Sequence, residues 1–351
     1  MKRTSSITAC AIVAAAILSM ASAQAESTKI VVGNVPSLTG APLYIAKEKG
    51  YYSEAGLDVS IEYPGSPGDM AAMLATNRLQ AIGSGFSAGF FNLIEKKIPV
   101  TIVMSRAISP VNHFIMLSPA MKGKIKTPKD LKGRVVGIDG AGSGIMYEVD
   151  KVLAQGGLTF ADVEVKYIPL TQIQVALSTG AVDAAMLVSP MQDVAAEKGL
   201  AIRWINTDDV VKPQPMLSSV MLMNSEWIGK NRSAAEAFIR ATLRGTRDYC
   251  QAYHHGPNRA DVVRYLAKYS DLKDEQMIDR LEWGSMDVRG RVLEDSLNDI
   301  QDFYLREKLI ARKYTRTELG PPDWITRIGD SLEPFQLVHD DGRPGCRETS
   351  K

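Results

Sequence analysis

Short apolar, β-branched runs alternate along the first two-thirds of the chain with stretches whose apolar residues recur at helical spacing. This is the pattern of parallel βαβ units. Strands are predicted at Lys29–Val35, Leu57–Tyr63, Gln80–Ser84 and Val100–Met104, with helices at Pro42–Lys49, Asp69–Asn77 and Ala88–Lys96. A second series follows, with strands at Arg134–Asp139, Val163–Ile168 and Ala184–Val188 and helices at Ser143–Gln155, Gln172–Thr179 and Met191–Lys198. Thr127-Pro128-Lys129-Asp130 reads as a helix start, with Thr as cap and Pro in the first turn. Two further apolar runs, Phe114–Leu117 and Ser219–Met223, bracket the second series and read as paired hinge strands. Beyond Asn224 the pattern is helical, over Arg232–Tyr253, Arg259–Tyr269, Asp274–Trp283 and Leu293–Glu307, and these helices are expected to pack on the first lobe.

The two series are copies of one unit. Val31-Val32-Gly33 returns as Val135-Val136-Gly137, Gly40 and Tyr44 as Gly144 and Tyr147, and Gly56-Leu57 as Gly157-Leu158. VSIEY (Val59 to Tyr63) returns as VEVKY (Val163 to Tyr167), and LATNRLQA (Leu74 to Ala81) as LSTGAVDA (Leu177 to Ala184). The offset stays between 101 and 104 residues, too long for a solenoid and suited to a duplicated α/β lobe. Single Gly/Ala/Val words recur by chance, but an ordered series at one offset does not. Two similar lobes facing each other make a cleft, a favoured place for a small ligand. The expected organisation is a discontinuous lobe 1 (28–112 and 224–330) around a continuous lobe 2 (118–218), followed by a polar C-terminal tail (331–351).

The ends and the composition narrow the function classes. Lys2 and Arg3 precede an apolar stretch from Ile7 to Leu18, and Ala23-Gln24-Ala25 forms an A-x-A site, so cleavage after Ala25 is expected. The apolar run is shorter than the roughly 20 residues a membrane span needs. Cys10 stands at the front of that run, not after it, which argues against lipidation. The expected product is an exported, released protein of 326 residues, a length that calls for two lobes. Its formal charge moves from +1 to −1, which leaves no electrostatic footprint for nucleic acid or an anionic membrane surface. Cys250 and Cys346 remain after cleavage, and their pairing stays open. An oxidising compartment permits it, but Cys346 lies in a Gly/Pro-bearing tail of the kind that is usually mobile.

In parallel α/β sheets ligands sit beyond the carboxyl ends of the strands. Lobe 1 offers Pro36 to Gly40 (with Ser37 and Thr39), then Gly65-Ser66, then Ser84-Gly85-Phe86-Ser87; lobe 2 offers Gly140 to Ser143 (with Gly142), then Leu170-Thr171-Gln172, then Ser189-Pro190. Most of these turns are small and hydroxylic and lead into helix starts, where unpaired N–H groups and the helix dipole attract anions. Any one such turn is explained by ordinary capping; six converging on one cleft favour a ligand. Arg106 and His113, approaching the hinge, are candidates to bring charge into the cleft. Trp283 reads as a core residue, with the lobe 1 wall of the cleft as the alternative.

Two catalytic signals are present and weak. Gly85-Phe86-Ser87-Ala88-Gly89 matches a nucleophile elbow, but His113, His254, His255 and His339 are the only histidines and no HGG-like oxyanion loop exists. Gly83-Ser84-Gly85-Phe86-Ser87-Ala88 matches a dinucleotide-type glycine pattern without the acidic residue it needs about twenty positions on. His254-His255 lacks the partners that would complete a metal site, and no cofactor is expected.

Pro42-Leu43-Tyr44-Ile45-Ala46, Gly50-Tyr51-Tyr52, Glu54-Ala55-Gly56-Leu57-Asp58-Val59, Thr127 to Gly133 and Gly180 to Ala185 carry a family resemblance over nearly the whole mature chain. The chain resembles the periplasmic solute-binding proteins of ABC importers in the nitrate/sulfonate/taurine and thiamine-precursor group. The resemblance implies an α/β fold of the periplasmic binding protein type II kind, with two similar, mainly parallel sheets joined by two hinge strands. It also implies closure on a small-molecule solute, delivery to an inner-membrane ABC permease, and a monomeric protein that is not an enzyme. The expected solute is a small organic anion or zwitterion of the sulfonate or carboxylate class. A neutral heterocycle such as a thiamine pyrimidine precursor is the alternative, and a secreted serine hydrolase using Ser87 is the alternative of another class. The cytosolic enzyme branch of the group carries a cysteine-rich iron motif that this chain lacks. The Trp/Arg-rich pocket contacts of some members are not recognisable here, which leaves the solute's identity and any sensor role open.

Overall fold

A computed structural model of the chain describes residues 27–64 and 67–348; the expected export signal and the Gly65-Ser66 turn lie outside the described residues. The strands are β1 (Thr28–Gly33), β2 (Leu57–Glu62), β3 (Ala81–Gly85), β4 (Val100–Ile108), β5 (Phe114–Leu117), β6 (Val135–Ile138), β7 (Glu164–Tyr167), β8 (Ala184–Leu187), β9 (Ile202–Asn206) and β10 (Leu217–Asn224). They form two five-stranded sheets, β2-β1-β3-β10-β4 and β7-β6-β8-β5-β9. The repeat units coincide, since β1, β2 and β3 have the same places in the first sheet as β6, β7 and β8 in the second. Each sheet is parallel except for one reversed strand, β10 or β5, inserted second from the edge.

Hydrophobic patterning explains the placement. Edge strand β2 alternates, with Leu57 and Val59 buried and Asp58 and Ser60 exposed, whereas every residue of β4 is buried. The β4 strand is covered on both faces, the condition under which a strand reads as a continuous apolar run. In the helical layer of lobe 1, the Ala41–Glu48 helix packs against the Arg232–Tyr253 helix. Gly245 makes that approach possible, because a Cβ there would overlap the Pro42 carbonyl. Tyr44 stacks on Tyr269 at 4.9 Å between ring centroids and Tyr52 on Phe238 at 5.5 Å, anchoring the late helices on lobe 1 as the sequence suggests. Thr127 and Asp130 do form a capping box, over a single tight turn (Pro128–Leu131).

Phe114–Leu117 and Ser219–Met223 are not paired hinge strands. They lie in different sheets, where each finds hydrogen-bonding partners on both sides in its own lobe. The crossings are the adjoining segments 109–113 and 207–216, which run side by side. Ser109 N–H donates to the Met216 carbonyl (2.9 Å), and Met216 N–H to Ser109 Oγ (2.6 Å). The Asp208 carboxylate accepts from the Val111 and Asn112 amides at 2.9–3.0 Å. His113 Nδ1 lies 2.9 Å from Glu148 Oε1, and the Thr207 hydroxyl donates to Glu148 Oε2 (2.6 Å), so both crossings grip the Gly144–Gln155 helix of lobe 2.

The helix expected at Leu293–Glu307, observed as Glu294–Arg306, does more than complete lobe 1. Tyr147 OH donates to Asp299 (2.7 Å), Lys151 pairs with Asp299 and Arg306 with Asp150 (both 2.6 Å), and the Tyr147 ring meets Phe303 edge-on. This helix therefore bridges the lobes, and one apolar core runs from Phe91 and Tyr304 through Tyr147 to Val136. Trp283 is a core residue, with its Nε1–H donating to the Ile278 carbonyl (2.8 Å) and Arg259 over its ring. The described part of the tail is fastened to lobe 1. Cys346 is joined to Cys250, and Asp341 accepts from the buried His254 (2.7 Å). Among the described residues no helix is long and apolar enough to cross a membrane.

Two outcomes follow from these contacts. Burial works against a charged His113, but the charge and hydrogen bond of Glu148 outweigh it and raise its pKa above the ordinary 6.5. A raised histidine contributes stability in full below its unfolded pKa of about 6.5 and loses it as pH rises through the folded value. Urea denaturation from about pH 6 to pH 9 should show wild type losing more stability than His113→Gln; parallel profiles would rule out this coupling. The disulfide closes a sequence separation of 96 residues, so Cys346→Ser should lower the unfolding free energy by about 2–4 kcal/mol. Denaturant midpoints with and without reductant would read this, and no difference would mean the tail's remaining contacts hold it unaided.

Candidate functional site

The carboxyl ends of the parallel strands in the two sheets open towards each other, and the lobes touch there. Ala88 N–H donates to the Gly142 carbonyl (2.8 Å), and Ser87 and Ser143 form an isolated antiparallel bridge. Gly142 is required at this contact: its φ of +74° favours glycine, and a Cβ would stand 2.9 Å from the Ala88 Cβ. The helix-start turns of the first and second copies thus meet across the cleft.

On lobe 1, Ser37 precedes a single turn (Leu38–Gly40) that leads into the Ala41–Glu48 helix, and its hydroxyl makes no capping hydrogen bond but lies 2.9 Å from that of Thr39. Gly40 is buried, and a Cβ there would overlap the Tyr44 hydroxyl and the Asn34 amide. Arg106 comes from β4 and passes over Gly83, where a Cβ would overlap its guanidinium. Its Nη2 donates to Asn34 Oδ1 (2.8 Å) and to the Thr39 carbonyl (3.0 Å). Asn34 Nδ2 in turn donates to the Tyr44 hydroxyl (2.9 Å). Arg106 is buried, and among the described residues no carboxylate pairs with its guanidinium. Burial pulls its pKa down to about 10, with Tyr44 opposing, so it remains a cation at neutral pH.

The other lobe 1 candidates divide. Ser84 and Ser87 are partly exposed and Gly85 is exposed, with the Ser84 hydroxyl donating to the Gly85 carbonyl (2.8 Å). Phe86, also expected to meet ligand, is 3% exposed and packs on Phe91. Its ring belongs to the core, in one apolar cluster with Ile82 and Phe91. Ser87 has φ −153° and ψ 153°, ordinary extended backbone without the strain of a nucleophile elbow. None of the four histidines hydrogen-bonds to it, and His113 is engaged with Glu148.

On lobe 2, the Ser143 hydroxyl donates to Asp139 and accepts the Met146 amide (3.1 Å), capping the Gly144–Gln155 helix. Burial raises the Asp139 pKa, while the Ser143 hydroxyl opposes the rise. Thr171 and Gln172 are exposed on the first turn of the Leu170–Thr179 helix. Ser189 precedes Pro190 through a cis peptide, and its Oγ is buried without a partner.

Sequence reasoning passed over several groups at these strand ends. Asp139 ends a predicted strand, and Asn34 fastens Arg106. Tyr63 and Tyr167, 42% and 56% exposed, are repeat-related residues at the ends of edge strands β2 and β7. The tyrosines close the repeated words VSIEY and VEVKY, so the strand-end rule that selected the turns also contained the signal for them.

Comparison with known proteins agrees with this architecture. The formylaminopyrimidine-binding protein of Halalkalibacterium halodurans is 26% identical over 319 residues, covering 90% of this chain and 91% of that protein. A 4-amino-5-hydroxymethyl-2-methylpyrimidine phosphate synthase of Saccharomyces cerevisiae, THI13, is 24% identical over 297 residues, 81% of each chain. The alkanesulfonate-binding protein SsuA from Xanthomonas axonopodis pv. citri, solved with MOPS bound, superposes with a TM-score of 0.66 at 16% identity, covering 85% of this chain and 99% of that one. The model of the family described as NMT1/THI5 like matches residues 38–253, and the chain belongs to that family, with the two-lobe fold of ABC-type solute-binding proteins.

Proposed function

We propose that this protein is the periplasmic receptor of an ABC importer and captures a small organic anion or zwitterion, of the sulfonate or carboxylate class, between its lobes. The observation that carries the reading is Arg106, a buried cation with no carboxylate, held directly behind the Ser37–Gly40 turn. A charge taken out of water without an ionic partner is costly, and an anion seated at that turn would supply the missing partner. Ser37 and Thr39 offer hydroxyl donors, and the start of the Ala41–Glu48 helix adds its dipole. Ser84, Gly85 and Ser87 extend the proposed lobe 1 face, Gly65 and Ser66 remain candidates from sequence alone, and Gly142, Ser143, Thr171, Gln172 and Ser189 form the opposing face. In this reading the leader is cleaved after Ala25, the mature protein is a monomer, and an inner-membrane permease receives the solute.

Catalysis is not part of the proposal. Ser87 lacks a base, and the two cysteines beyond the leader are joined in one disulfide. A neutral heterocycle is the second reading, favoured by the exposed rings of Tyr63 and Tyr167 at the cleft-side strand ends and by the solute named for the Halalkalibacterium relative. Thermal melting against sulfonates, carboxylates, nitrate and aminopyrimidines separates the two. A cognate anion at a hundred times its Kd should add about 2.7 kcal/mol of stability. Arg106→Met should weaken that anion at least about tenfold. Shifts produced by aminopyrimidines alone would overturn the anion reading in favour of the heterocycle.

A further inference from the structure

The first crossing is gripped from a second side. On one side Met216 and Asp208 of the second crossing meet Ser109, Val111 and Asn112. On the other, the lobe 1 segment Trp283–Ser285 runs along it. Ile108 N–H donates to the Ser285 carbonyl (3.0 Å), Ser285 N–H to the Pro110 carbonyl (2.7 Å), and Asn112 Nδ2 to the Trp283 carbonyl (3.3 Å). Ile108 and Ser285 also form an isolated antiparallel bridge.

That segment is itself held by the C-terminal tail. Cys346 N–H donates to Ser285 Oγ (2.7 Å), and both residues are wholly buried. Gly345 lies so close that a Cβ would overlap the Ser285 side chain and stand 3.0 Å from Pro110 Cδ, and its φ of +90° favours glycine. The seat is therefore shaped for this tail. The Cys250–Cys346 bond ties the tail to the Arg232–Tyr253 helix, with the Tyr253 hydroxyl donating to the Pro344 carbonyl (2.7 Å) and His254 bonded to Asp341. A cavity of about 360 Å³ lies between the tail and Gln214 and Pro215 of the second crossing. Among the described residues no hydrogen bond joins residues 344–348 to residues 207–216, so the brace acts on the first crossing alone.

We propose that the Cys250–Cys346 bond is a redox switch on the hinge. Formed, it clamps the tail on Ser285 and stiffens the first crossing. Reduced, it frees the tail, the Ser285 segment loosens, and the crossing regains conformational freedom. Because the cleft contact at Ala88 and Gly142 is small, a looser crossing lets the lobes open further. The co-reactant is a dithiol. One of its thiolates attacks a sulfur of the pair, a mixed disulfide forms, and its second thiol resolves that intermediate. Cys250 and Cys346 end as thiols and the reductant as a disulfide, a transfer of two electrons and two protons. Both cysteines are buried, so attack requires residues 340–348 to lift first, a local opening short of global unfolding. The inference goes beyond the binding reading and is independent of which solute the cleft takes.

The test is hydrogen exchange read by mass spectrometry on the solute-free mature protein, oxidised and after dithiothreitol under native conditions, with thiols counted by alkylation. Residues 105–112 should exchange about fivefold or more faster in the reduced form, the scale of losing a hydrogen-bonded contact. Strands β6 and β8 of the lobe 2 sheet are the reference, since they register any general loss of stability. Ser285→Ala keeps the disulfide and should reproduce part of the loosening, and X-ray scattering should give the reduced form a larger radius of gyration. Thiols that appear only on global unfolding overturn the switch. A crossing that exchanges no faster than the reference, in reduced wild type or in folded Cys346→Ser, overturns the brace. Wild-type protection of the crossing in Ser285→Ala overturns the route through Ser285, and equal radii overturn the step from crossing to lobes.

Discussion

The Asp208 carboxylate, accepting the Val111 and Asn112 amides, ties the two chain crossings together, and the relation between the lobes depends on that tie. A lobe inserted into another by two crossings has its position set by how those crossings are held. Here the first crossing lacks backbone partners of its own at residues 111 and 112, and a side chain from the second supplies them. Burial raises the Asp208 pKa while the two amides oppose the rise, so the same hydrogen bonds that join the crossings also favour its ionised form. Glu148 extends the arrangement by meeting His113 from one crossing and Thr207 from the other, at the base of the helix that begins at Ser143. Geometry at the crossings is thereby coupled to the lobe 2 face of the cleft.

A second constraint limits how the lobes move. The Glu294–Arg306 helix grips the lobe 2 helix through Tyr147, Asp150 and Lys151, and the apolar core is continuous across that side. The opposite contact, at Ser87–Ala88 and Gly142–Ser143, is smaller, with the Ala88 to Gly142 hydrogen bond, an isolated bridge and close small residues. Opening at the second contact costs little buried surface, whereas opening at the first would expose the Tyr147 and Phe303 rings. Hinge motion in two-lobe proteins is absorbed by a few segment-terminal residues, and the asymmetry points to rotation about the bridging helix.

Much of this architecture was legible in the sequence because the lobe is written twice. The repeat located β1, β2 and β3 and their counterparts β6, β7 and β8, and the helix starts at Ser37, Ser87 and Ser143 followed from the strand-end rule. What the chain order concealed was partnership. Phe114–Leu117 and Ser219–Met223 were recognisable as strands, but an apolar run of a few residues does not say which sheet it joins, and each joined its own lobe. Leu293–Glu307 was recognisable as a helix, but its outward Asp299 and Arg306 do not reveal that a second lobe stands opposite. The burial of Phe86 was hidden for a related reason, since a residue in a Gly/Ser turn looks accessible until its packing on Phe91 is seen. Asp139 was hidden by its neighbours, because a search for hydroxyls at a helix start passes over the carboxylate to which the hydroxyl donates.

That last oversight bears on how a nearly neutral chain would recognise the charged solute proposed for it. Net charge reports nothing here, because the relevant charges are single, partly or wholly buried, and on opposite lobes. Arg106 is held by neutral acceptors alone, Asn34 and the Thr39 carbonyl, so its charge is positioned without being cancelled. Asp139 is held in the same way by the Ser143 hydroxyl. Had either been paired within its own lobe, the ion pair would have been satisfied in the open form and indifferent to closure. Placing the two charges on separate lobes, each with neutral support, leaves their compensation to whatever bridges the gap. If the lobes close on the solute proposed above, recognition and closure are one equilibrium, in which the solute shifts the lobes only by its preference for the closed form.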